Sequence, residues 1–558
     1  MKKVYIMPLV SLIFLLSALA TVSCSSRHVA EKPDTTIPTI RSVSPASGAT
    51  AVAITTVVTC TFSEAMNAST INAASFLLVS VSSTTTTTVA GQVTYNAASH
   101  IATFTPNSPL EHNTNYTVII TTDATDIAGN NISSSNSWSF TTIPAPGALD
   151  TTFGSGGKIR TALGFSDDET FAAAIQSDGR IITAGLSTSL SGTDYFTVAR
   201  FLTNGVLDPN FNTTFSPGKN SYFTGRAFAV ALQSDDKIVA AGSSGATLSS
   251  SADILIARYN ADGSRDTTFG NGSTLNGSST VDMGGIWESA RALAIQTDGN
   301  IIVVGESTTN NGTTYQTVIA RLNTNGTLYS IFDSNTYTTS HAYLVKIQPD
   351  EKILIGGIFK NVDENTPGLT SSYLMRYDKA GTLDPSFGTG GVITISTGTN
   401  TVIDAMEILP EEGKIIIAGT TKNSTNSTND LFLMRFNSNG SPDTTFGSNG
   451  IVTTDDVDQG EEIAAGFALQ SNGKIVFAAT YLPPPGPSQT YNFALFRYSA
   501  DGVLDNTFGV DGFGMVTTDF GSSDYAACVQ IQQDGKIVIV GSVWNGSNYD
   551  IGLARYWP

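Results

Sequence analysis

The sequence is poor in charged residues, especially basic ones, and in the side chains that most often bind metal ions. Only 13% of its 558 residues are charged, and Asp and Glu outnumber Lys and Arg by 47 to 28. A chain with a net charge of −19 repels phosphate backbones, so no nucleic-acid partner is expected. Its 3 Cys and 4 His are far apart in sequence and form no zinc-type spacing. Neither a metal site nor a cofactor is therefore predicted.

Long apolar runs are also scarce, and the clearest one lies at the N-terminus. Residues 4–20 are apolar but are interrupted by Pro8. A membrane-spanning helix needs about 20 apolar residues, so this run is slightly short for one. Because it follows a basic start, Met1-Lys2-Lys3, it predicts a signal peptide over residues 1–23.

The next residues, Thr21-Val22-Ser23-Cys24, resemble the lipobox of bacterial lipoproteins. The resemblance implies that Cys24 is lipidated and that the protein is anchored through this lipid to the outer membrane or cell surface. The polar residues 24–37 would then form a flexible tether. The alternative is ordinary signal cleavage, with Cys24 incidental. Cys60 and Cys528 both lie in apolar patterns, which favours buried free thiols over a disulfide.

Residues 38–142 predict one β-sandwich, because short apolar–polar alternations are separated there by turn residues and show no helical period. The segment resembles the SbsA-type bacterial Ig-like domain. The resemblance is carried by Ser44-Pro45, Phe62-Ser63-Glu64, Phe104, Tyr116-Thr117-Val118, Asp126, Gly129-Asn130 and Trp138-Ser139-Phe140-Thr141-Thr142. Asp123, Asp126 and Asn130 offer oxygen ligands that suit calcium. The same residues are typical of a turn in which Asp and Asn bind their own backbone, which is the favoured interpretation.

Residues 147–558 contain seven copies of one unit. Each copy aligns on a glycine: Gly147, Gly205, Gly263, Gly326, Gly381, Gly440 and Gly502. A Phe follows each glycine by six residues. An Asp follows six of them by three residues, and Tyr329 takes its place in the remaining copy. An arginine ends the third predicted strand of every copy: Arg200, Arg258, Arg321, Arg376, Arg435, Arg497 and Arg555. The pattern resembles the delta-60 repeat, a β-propeller family of bacterial envelope proteins.

The residues of each unit predict four short strands, the first rich in small side chains and the second strongly apolar. Tandem units of four strands are typical of propeller blades. The fourth strand is predicted to span both the Phe motif and the stretch after it. Because the region begins with a fourth strand (147–163) and ends on a third (550–558), the first piece should complete the last blade. The fold class is therefore all-β, an Ig-like β-sandwich followed by a seven-bladed β-propeller closed by its N-terminal strand.

The repeated Arg and Asp favour a structural, bidentate ion pair over an active site, since they recur around the whole ring. Function is expected where the copies differ, in the loops after strand two and after strand four, which should share one face. Four aromatics predicted to be exposed there are candidates for stacking on sugars or peptides: Tyr481, Tyr491, Trp544 and Tyr549. Packing between blades is the alternative for them.

Signatures of catalysis are missing from the sequence. It has no G-x-S-x-G elbow, H-E-x-x-H motif or phosphate loop, and no catalytic residue is predicted. Loop carboxylates could hydrolyse glycosides, although solvated surface acids are the favoured interpretation for all of them: Asp167, Asp168, Glu169, Asp455, Asp456, Asp458, Glu461 and Glu462. The first hypothesis is a non-enzymatic envelope lipoprotein that binds a protein or glycan through the propeller, with the Ig-like domain as a spacer. The alternative is a secreted enzyme acting on polysaccharide or peptide at the propeller channel.

Overall fold

A computed structural model gives the architecture of most of the chain. It describes residues 32–81 (without the side chain of Val81), 86–212, 218–245, 251–270, 277–308, 315–332, 340–359, 371–397, 400–422, 428–454, 460–486, 489–509 and 512–558. The predicted signal peptide and Cys24 lie outside these residues. The chain divides after Ile143 into two compact units. Among the described residues, none forms a helix long and apolar enough to cross a membrane.

The first unit is a β-sandwich of two sheets. Its strands are β1 (Ile40–Ser44), β2 (Ala49–Val52), β3 (Val58–Phe62), β4 (Phe76–Val81), β5 (Thr86–Thr88), β6 (Gly91–Asn96), β7 (Ile101–Pro106), β8 (Asn115–Ile120) and β9 (Asn136–Thr142). One sheet has the order β1-β3-β7-β6 and the other β2-β9-β8-β4-β5. Alternate residues point inward, as in the buried–half-buried alternation of β3, and enclose an apolar core.

The second unit consists of four-stranded sheets. Its strands are β10 (Lys158–Thr161), β11 (Asp168–Ile175), β12 (Ile181–Thr188), β13 (Asp194–Phe201), β14 (Lys219–Thr224), β15 (Arg226–Leu232), β16 (Ile238–Ser243), β17 (Ile254–Tyr259), β18 (Ser278–Val281), β19 (Trp287–Ile295), β20 (Ile301–Thr308), β21 (Tyr315–Leu322), β22 (Leu328–Ile331), β23 (Ser340–Ile347), β24 (Ile353–Phe359), β25 (Ser371–Tyr377), β26 (Val392–Ile395), β27 (Thr401–Ile408), β28 (Ile415–Lys422), β29 (Asn429–Phe436), β30 (Ile451–Thr454), β31 (Glu461–Leu469), β32 (Ile475–Leu482), β33 (Asn492–Tyr498), β34 (Met515–Thr518), β35 (Asp524–Ile531), β36 (Ile537–Trp544) and β37 (Tyr549–Tyr556).

These sheets form a closed ring of seven blades, as the sequence predicts. Blades 1 to 6 are β11–β14, β15–β18, β19–β22, β23–β26, β27–β30 and β31–β34, and blade 7 has the order β10-β37-β36-β35. The first strand of each blade contacts the first strands of both neighbours, and β35 contacts β11. The predicted closure is therefore confirmed, because β10 supplies the outer strand of the last blade.

The Phe motif is a turn, which corrects the predicted fourth strand. In blade 7, Asp150 Oδ1 accepts hydrogen bonds from the backbone N–H and hydroxyl of Thr152, and β10 starts only at Lys158. Tyr329 cannot make this turn, and in its blade the equivalent stretch stays extended as β22. The polar turn side chain thus decides where each outer strand begins.

The recurring arginines connect neighbouring blades. Six of them donate an Nε hydrogen bond of 2.7 to 3.0 Å to one carboxylate oxygen of the recurring Asp, so the expected bidentate geometry is wrong. The second carboxylate oxygen is taken by the turn, as Asp150 shows. Each of the seven guanidinium groups also lies 4.5 to 4.8 Å from the ring of the recurring Phe. Six of them donate to a backbone carbonyl of the next blade, at Ala261, Thr324, Lys379, Ser438, Ala500 and Thr203.

Candidate ligand site at the mouth of the central channel

Every first strand carries a β-bulge at the same place. The bulged residues are Phe171, Phe228, Arg291, Tyr343, Asp404, Ala465 and Ala527. The bulge brings a first-strand carbonyl close to the second strand, where six blades have a glycine. A Cβ on Gly185 would lie 1.8 Å from the carbonyl oxygen of Glu169, so a side chain cannot be accommodated there. The glycine therefore accommodates the close approach of the bulge in six blades, and blade 6 has Ala479 at this position.

The bulged side chains meet on the axis of the ring. Four of them, Phe171, Asp404, Ala465 and Ala527, come from four different blades and line one cavity. The Phe171 and Phe228 ring centroids are 5.0 Å apart, and the Arg291 guanidinium carbon lies 4.3 Å from the Phe228 ring. This ring of bulged residues is called the channel ring below. Its backbone repeats in every blade, but its chemistry changes from aromatic to basic, acidic and small.

In blades 1 to 4, the charges beside the channel ring form ion pairs, with the exception of Glu169 in blade 1. Arg226 donates two hydrogen bonds, of 2.9 and 2.7 Å, to Asp194 Oδ2. Arg291 binds Glu306 Oε1 at 2.9 and 2.5 Å, and His341 Nδ1 contacts Glu306 Oε2. Burial alone would raise the pKa of Glu306, but the hydrogen bonds from His341 and Arg291 outweigh it and the pKa is lowered. This half of the channel mouth is a closed set of ion pairs.

The other half of the channel mouth, in blades 5, 6, 7 and 1, holds an open cavity of about 440 Å³. Its walls are formed by Glu169, Thr170, Phe171, Asp404, Ala464, Ala465, Tyr525, Ala526, Ala527, Ser542 and Tyr549. This space is referred to as the acidic cavity. The small residues of the channel ring, Ala465 and Ala527, leave the room that Phe or Tyr fills in the other half. Its size is in the range of small-molecule sites.

Both carboxyl groups of the acidic cavity resist ionisation. Burial raises the pKa of Asp404 to about 7, against which Thr420 provides only a hydroxyl contact of 3.5 Å and a backbone hydrogen bond. Burial also raises the pKa of Glu169; the charge of Arg226 opposes this, and those of Asp167 and Asp194 add to it. Below about pH 4, Asp404 is protonated in both the folded and the unfolded chain. Between there and pH 7 only the unfolded chain releases the proton, so ionised Asp404 costs stability above pH 7.

A row of aromatic side chains borders the acidic cavity. The ring centroids of Tyr491 and Tyr525 are 5.1 Å apart, those of Tyr525 and Tyr549 6.0 Å, and those of Tyr549 and Trp544 5.0 Å. Tyr525 is 37% exposed, and the other three are half-buried. The row thus brings three of the four predicted aromatics together. It is called the aromatic row below.

Tyr481 is the exception, and its predicted exposure is wrong. Tyr481 lies in the second strand of its blade rather than in the loop that follows it, because β32 continues to Leu482. Tyr481 is only 5% exposed and packs in an apolar cluster that includes Phe467 and Phe496. Packing between blades, the alternative considered for these aromatics, applies to this residue.

The loops after strands two and four share one face, as expected. The backbone N–H of Tyr549, which ends a strand-two loop, donates a 3.0 Å hydrogen bond to Asp167 Oδ1 in a strand-four connection. This face contains the channel mouth and the aromatic row, and is called the loop face. Residues 360–370 and 487–488 of the predicted variable loops lie outside the described residues.

Most of the predicted loop acids that the structure describes have structural partners. Asp168 is buried and accepts hydrogen bonds from the N–H groups of Leu163 and Gly164. Glu461 accepts one of 2.9 Å from Asn429. Glu462 is buried, and Asp455, Asp456 and Asp458 lie outside the described residues. Among the predicted acids described by the structure, Glu169 is the one that lines the acidic cavity.

The turn of the Ig-like unit takes the favoured form. Asn130 donates from its backbone to Asp126 Oδ1 and from its side chain to Asp126 Oδ2, both at 2.8 Å. Gly129 has a φ of 94°. Asp126, Asp34 and Glu64 bring carboxylate oxygens within 4.8 Å of one another. The conformation of the turn is explained by the two Asn130–Asp126 hydrogen bonds and by the positive φ of Gly129.

Tyr525 and the channel-ring residues, including Asp404, are absent from the sequence-based site. The prediction considers only positions in the variable loops, whereas these side chains lie on the first strands of the blades. The signal available was the variation within the repeat, since the position of Phe171 is occupied by Arg291, Asp404 and Ala465 in other copies. Without knowledge of the bulge, the sequence does not predict that the side chain at the position of Phe171 faces the channel.

Comparisons with known proteins agree with the two-unit architecture. The family described as "Bacterial Ig-like domain" matches residues 34–142. The family described as "Domain of unknown function (DUF5122) beta-propeller" matches residues 176–211, 233–269, 296–328, 348–387, 413–446, 470–508 and 532–558. No curated protein matches the chain.

Three solved structures that match parts of the chain share little sequence with it. The β-propeller domain of the Trilobed protease from Pyrococcus furiosus is 9% identical, with 70% of this chain and 94% of that chain covered and a TM-score of 0.38. A protein of unknown function from Dyadobacter fermentans is 10% identical, with 72% and 99% covered and a TM-score of 0.37. The copper resistance protein PcoC from Escherichia coli is 20% identical, with 19% and 98% covered and a TM-score of 0.16.

Proposed function

We propose that this chain, which carries a bacterial Ig-like domain followed by a DUF5122 β-propeller, is a non-enzymatic binding protein of the cell envelope. A lipid on Cys24 anchors it, the Ig-like domain acts as a spacer, and the loop face of the propeller binds an envelope protein or a glycan. We also propose that the Ig-like domain is of the SbsA type and that the propeller blades are delta-60 repeats. The observation that carries the binding role is the aromatic row beside an open cavity.

The aromatic row suits binding because its rings are held in place by strand ends. Tyr549 and Trp544 lie at the facing ends of β37 and β36, and the Tyr491 carbonyl accepts a 2.8 Å hydrogen bond from the N–H of Asp524. Rings that are fixed in this way lose little conformational entropy when a ligand stacks on them. Tyrosine and tryptophan also combine apolar faces with polar edges, as sugars and peptides require.

Replacing a ring of the row should weaken binding without unfolding the propeller. We expect Trp544→Ala to reduce the affinity for the partner by about tenfold or more, because aromatic anchors commonly contribute over 1.4 kcal/mol. The measurement is binding of the full chain to an array of envelope glycans and proteins, followed by titration of each hit. Tyr329→Ala is the matched control, since Tyr329 is 63% exposed at the start of the outer strand β22, away from the loop face. Equal losses in both variants, or none in Trp544→Ala, would contradict the proposal.

Removing the proposed lipid site should release the protein from membranes. Cys24→Ala deprives the chain of the sulfur that would carry the lipid, and an acyl chain contributes about 0.8 kcal/mol per buried methylene. Fractionation of expressing cells should therefore move the protein from the membrane to the soluble fraction. Cys528→Ala, which changes a thiol within the propeller, should leave the distribution as it is. A Cys24→Ala protein that stays in the membrane fraction would show that the anchor is something else.

The second candidate function is an enzyme whose site is the acidic cavity. Glu169 and Asp404 line one space and both have a raised pKa, as an acid catalyst requires. Against this, Asp404 lies within the channel ring rather than on the accessible aromatic row. Cleavage of a bound glycan or peptide by the wild-type chain, lost in Asp404→Asn, would favour the enzyme.

A further inference from the structure

The two halves of the channel mouth differ in how their acids are matched. Beside Phe228, Asp194 and Glu306 each bind an arginine at 2.9 Å or less. In the acidic cavity, Glu169 and Asp404 make no ion pair with any described residue, and the described lining contains no Lys, Arg or His. Glu169 also lines the neighbouring cavity that contains Arg226 and Arg291, but these two guanidinium groups form ion pairs with Asp194 and Glu306. The acidic cavity therefore contains two carboxyl groups that have no ion-pair partner among the described residues, and a bound cation would favour their ionised form.

The remaining walls of the acidic cavity are apolar or aromatic. Phe171, Tyr525 and Tyr549 contribute rings, and Ala464, Ala465, Ala526 and Ala527 contribute methyl groups. A hard metal cation prefers six to eight oxygen ligands, which two carboxylates among alanines and rings do not supply. An organic ammonium differs, since its charge is attracted both to carboxylates and to the faces of aromatic rings while its carbon body contacts apolar walls.

We propose that the acidic cavity binds a protonated primary amine carried by a larger molecule, with Asp404 and Glu169 as the acceptors. The inference rests on the proposed binding function of the loop face and specifies the chemistry of its ligand. An amino sugar and a lysine side chain both present this group, and both fit a molecule that also contacts the aromatic row. Asp404 is a channel-ring residue, and Glu169 lies beside the ring at the channel mouth. The amine group of the ligand therefore enters the acidic cavity before the rest of the molecule.

The test is calorimetric titration of the full chain with paired amines and amides. The probes are a glucosamine disaccharide against its N-acetylated form, and lysine amide against Nε-acetyl-lysine amide. In each pair acetylation removes the positive charge of the amine and adds a small acetyl group. We expect at least one free amine to bind about tenfold or more tightly than its acetylated partner. The sugar pair and the lysine pair distinguish the two sources of the amine.

Variants then locate the amine. Asp404→Asn and Glu169→Gln should each weaken binding of the amine by about tenfold or more. Glu411→Gln is the control for net charge, because Glu411 is an exposed acid in a turn between a first and a second strand, away from the loop face. Asp404→Asn should melt no lower than the wild type at pH 8, so its loss of binding cannot be ascribed to unfolding.

Three outcomes would overturn the inference: no binding of either free amine at millimolar concentration, equal binding of the acetylated probes, or unchanged binding in both cavity variants. Failure of the amine site can be distinguished from failure of the proposed function. If neutral glycans or proteins bind and Trp544→Ala weakens them while Asp404→Asn does not, the loop face is a binding surface and the amine site is wrong.

Discussion

Deleting residues 147–163 should destabilise the whole propeller, and attaching the same residues after Pro558 should restore its stability. The deleted piece contains β10 and the fully buried Phe153, and it also supplies Asp150, the partner of Arg555 at 2.9 Å. Removing a buried Phe side chain alone costs about 3–5 kcal/mol, so losing the entire segment should cost more. Blade 7 then has an open edge, and Arg555 is left without its carboxylate.

The relocation is possible because the ends of the ring lie side by side. The backbone N–H of Gly147 donates a 2.9 Å hydrogen bond to the carbonyl of Trp557, and the N–H of Trp557 donates one of 2.9 Å to Ala148. A short Gly/Ser linker from Pro558 can therefore return the strand to its position. Thermal and urea unfolding of the full chain, the deletion variant and the relocated variant give the comparison.

The relocated variant is its own control, since it has the composition of the full chain apart from the linker. A deletion variant that unfolds at the same midpoint as the full chain would show that the ring does not depend on β10. A relocated variant that stays as unstable as the deletion would show that the loss comes from broken chain connectivity rather than from the missing strand.

The repeat made the fold predictable, because seven copies of the same Arg, Asp and Phe must occupy equivalent positions. The closure of blade 7 also followed from the sequence, since a lone fourth strand at one end matched a missing one at the other. The starts of the outer strands were not predicted, because they depend on a side-chain turn at Asp150 that periodicity does not reveal. Blade 3, where Tyr329 replaces this Asp, shows that one side chain decides between turn and strand.

The candidate site was less predictable for two physical reasons. The bulge adds one residue to each first strand, which turns a side chain such as Asp404 toward the channel, and simple alternation assigns it to neither face. The exposure of Tyr481 is mispredicted for a related reason, since β32 continues for three residues beyond Ala479 and places Tyr481 in the core. Tyr491, Trp544 and Tyr549 were identified as candidates because they lie beside true loops.

Arg258→Ala should destabilise the propeller by about 3–5 kcal/mol, since removing one partner of a buried pair leaves the other charge uncompensated. Arg258 is 6% exposed, donates to Asp266 Oδ2 at 2.8 Å and to the Thr324 carbonyl of the next blade at 2.5 Å, and covers the ring of Phe269. Lys237, 3.4 Å from Asp266, offsets part of the loss, so the lower end of the range is expected.

Arg321→Ala provides the matched control for Arg258→Ala. Arg321 is equally buried at 6%, covers Phe332 at 4.8 Å and also reaches the next blade, through the Lys379 carbonyl. Its blade has Tyr329 in place of the recurring Asp, and Arg321 forms no ion pair with the described residues. Truncating Arg321 leaves no carboxylate without its partner, so the unfolding midpoint should fall less than in Arg258→Ala. Equal losses would assign the stabilisation to the ring contact and the carbonyl bond, and an Arg258→Ala protein that melts like wild type but no longer binds its partner would make the arginines functional rather than structural.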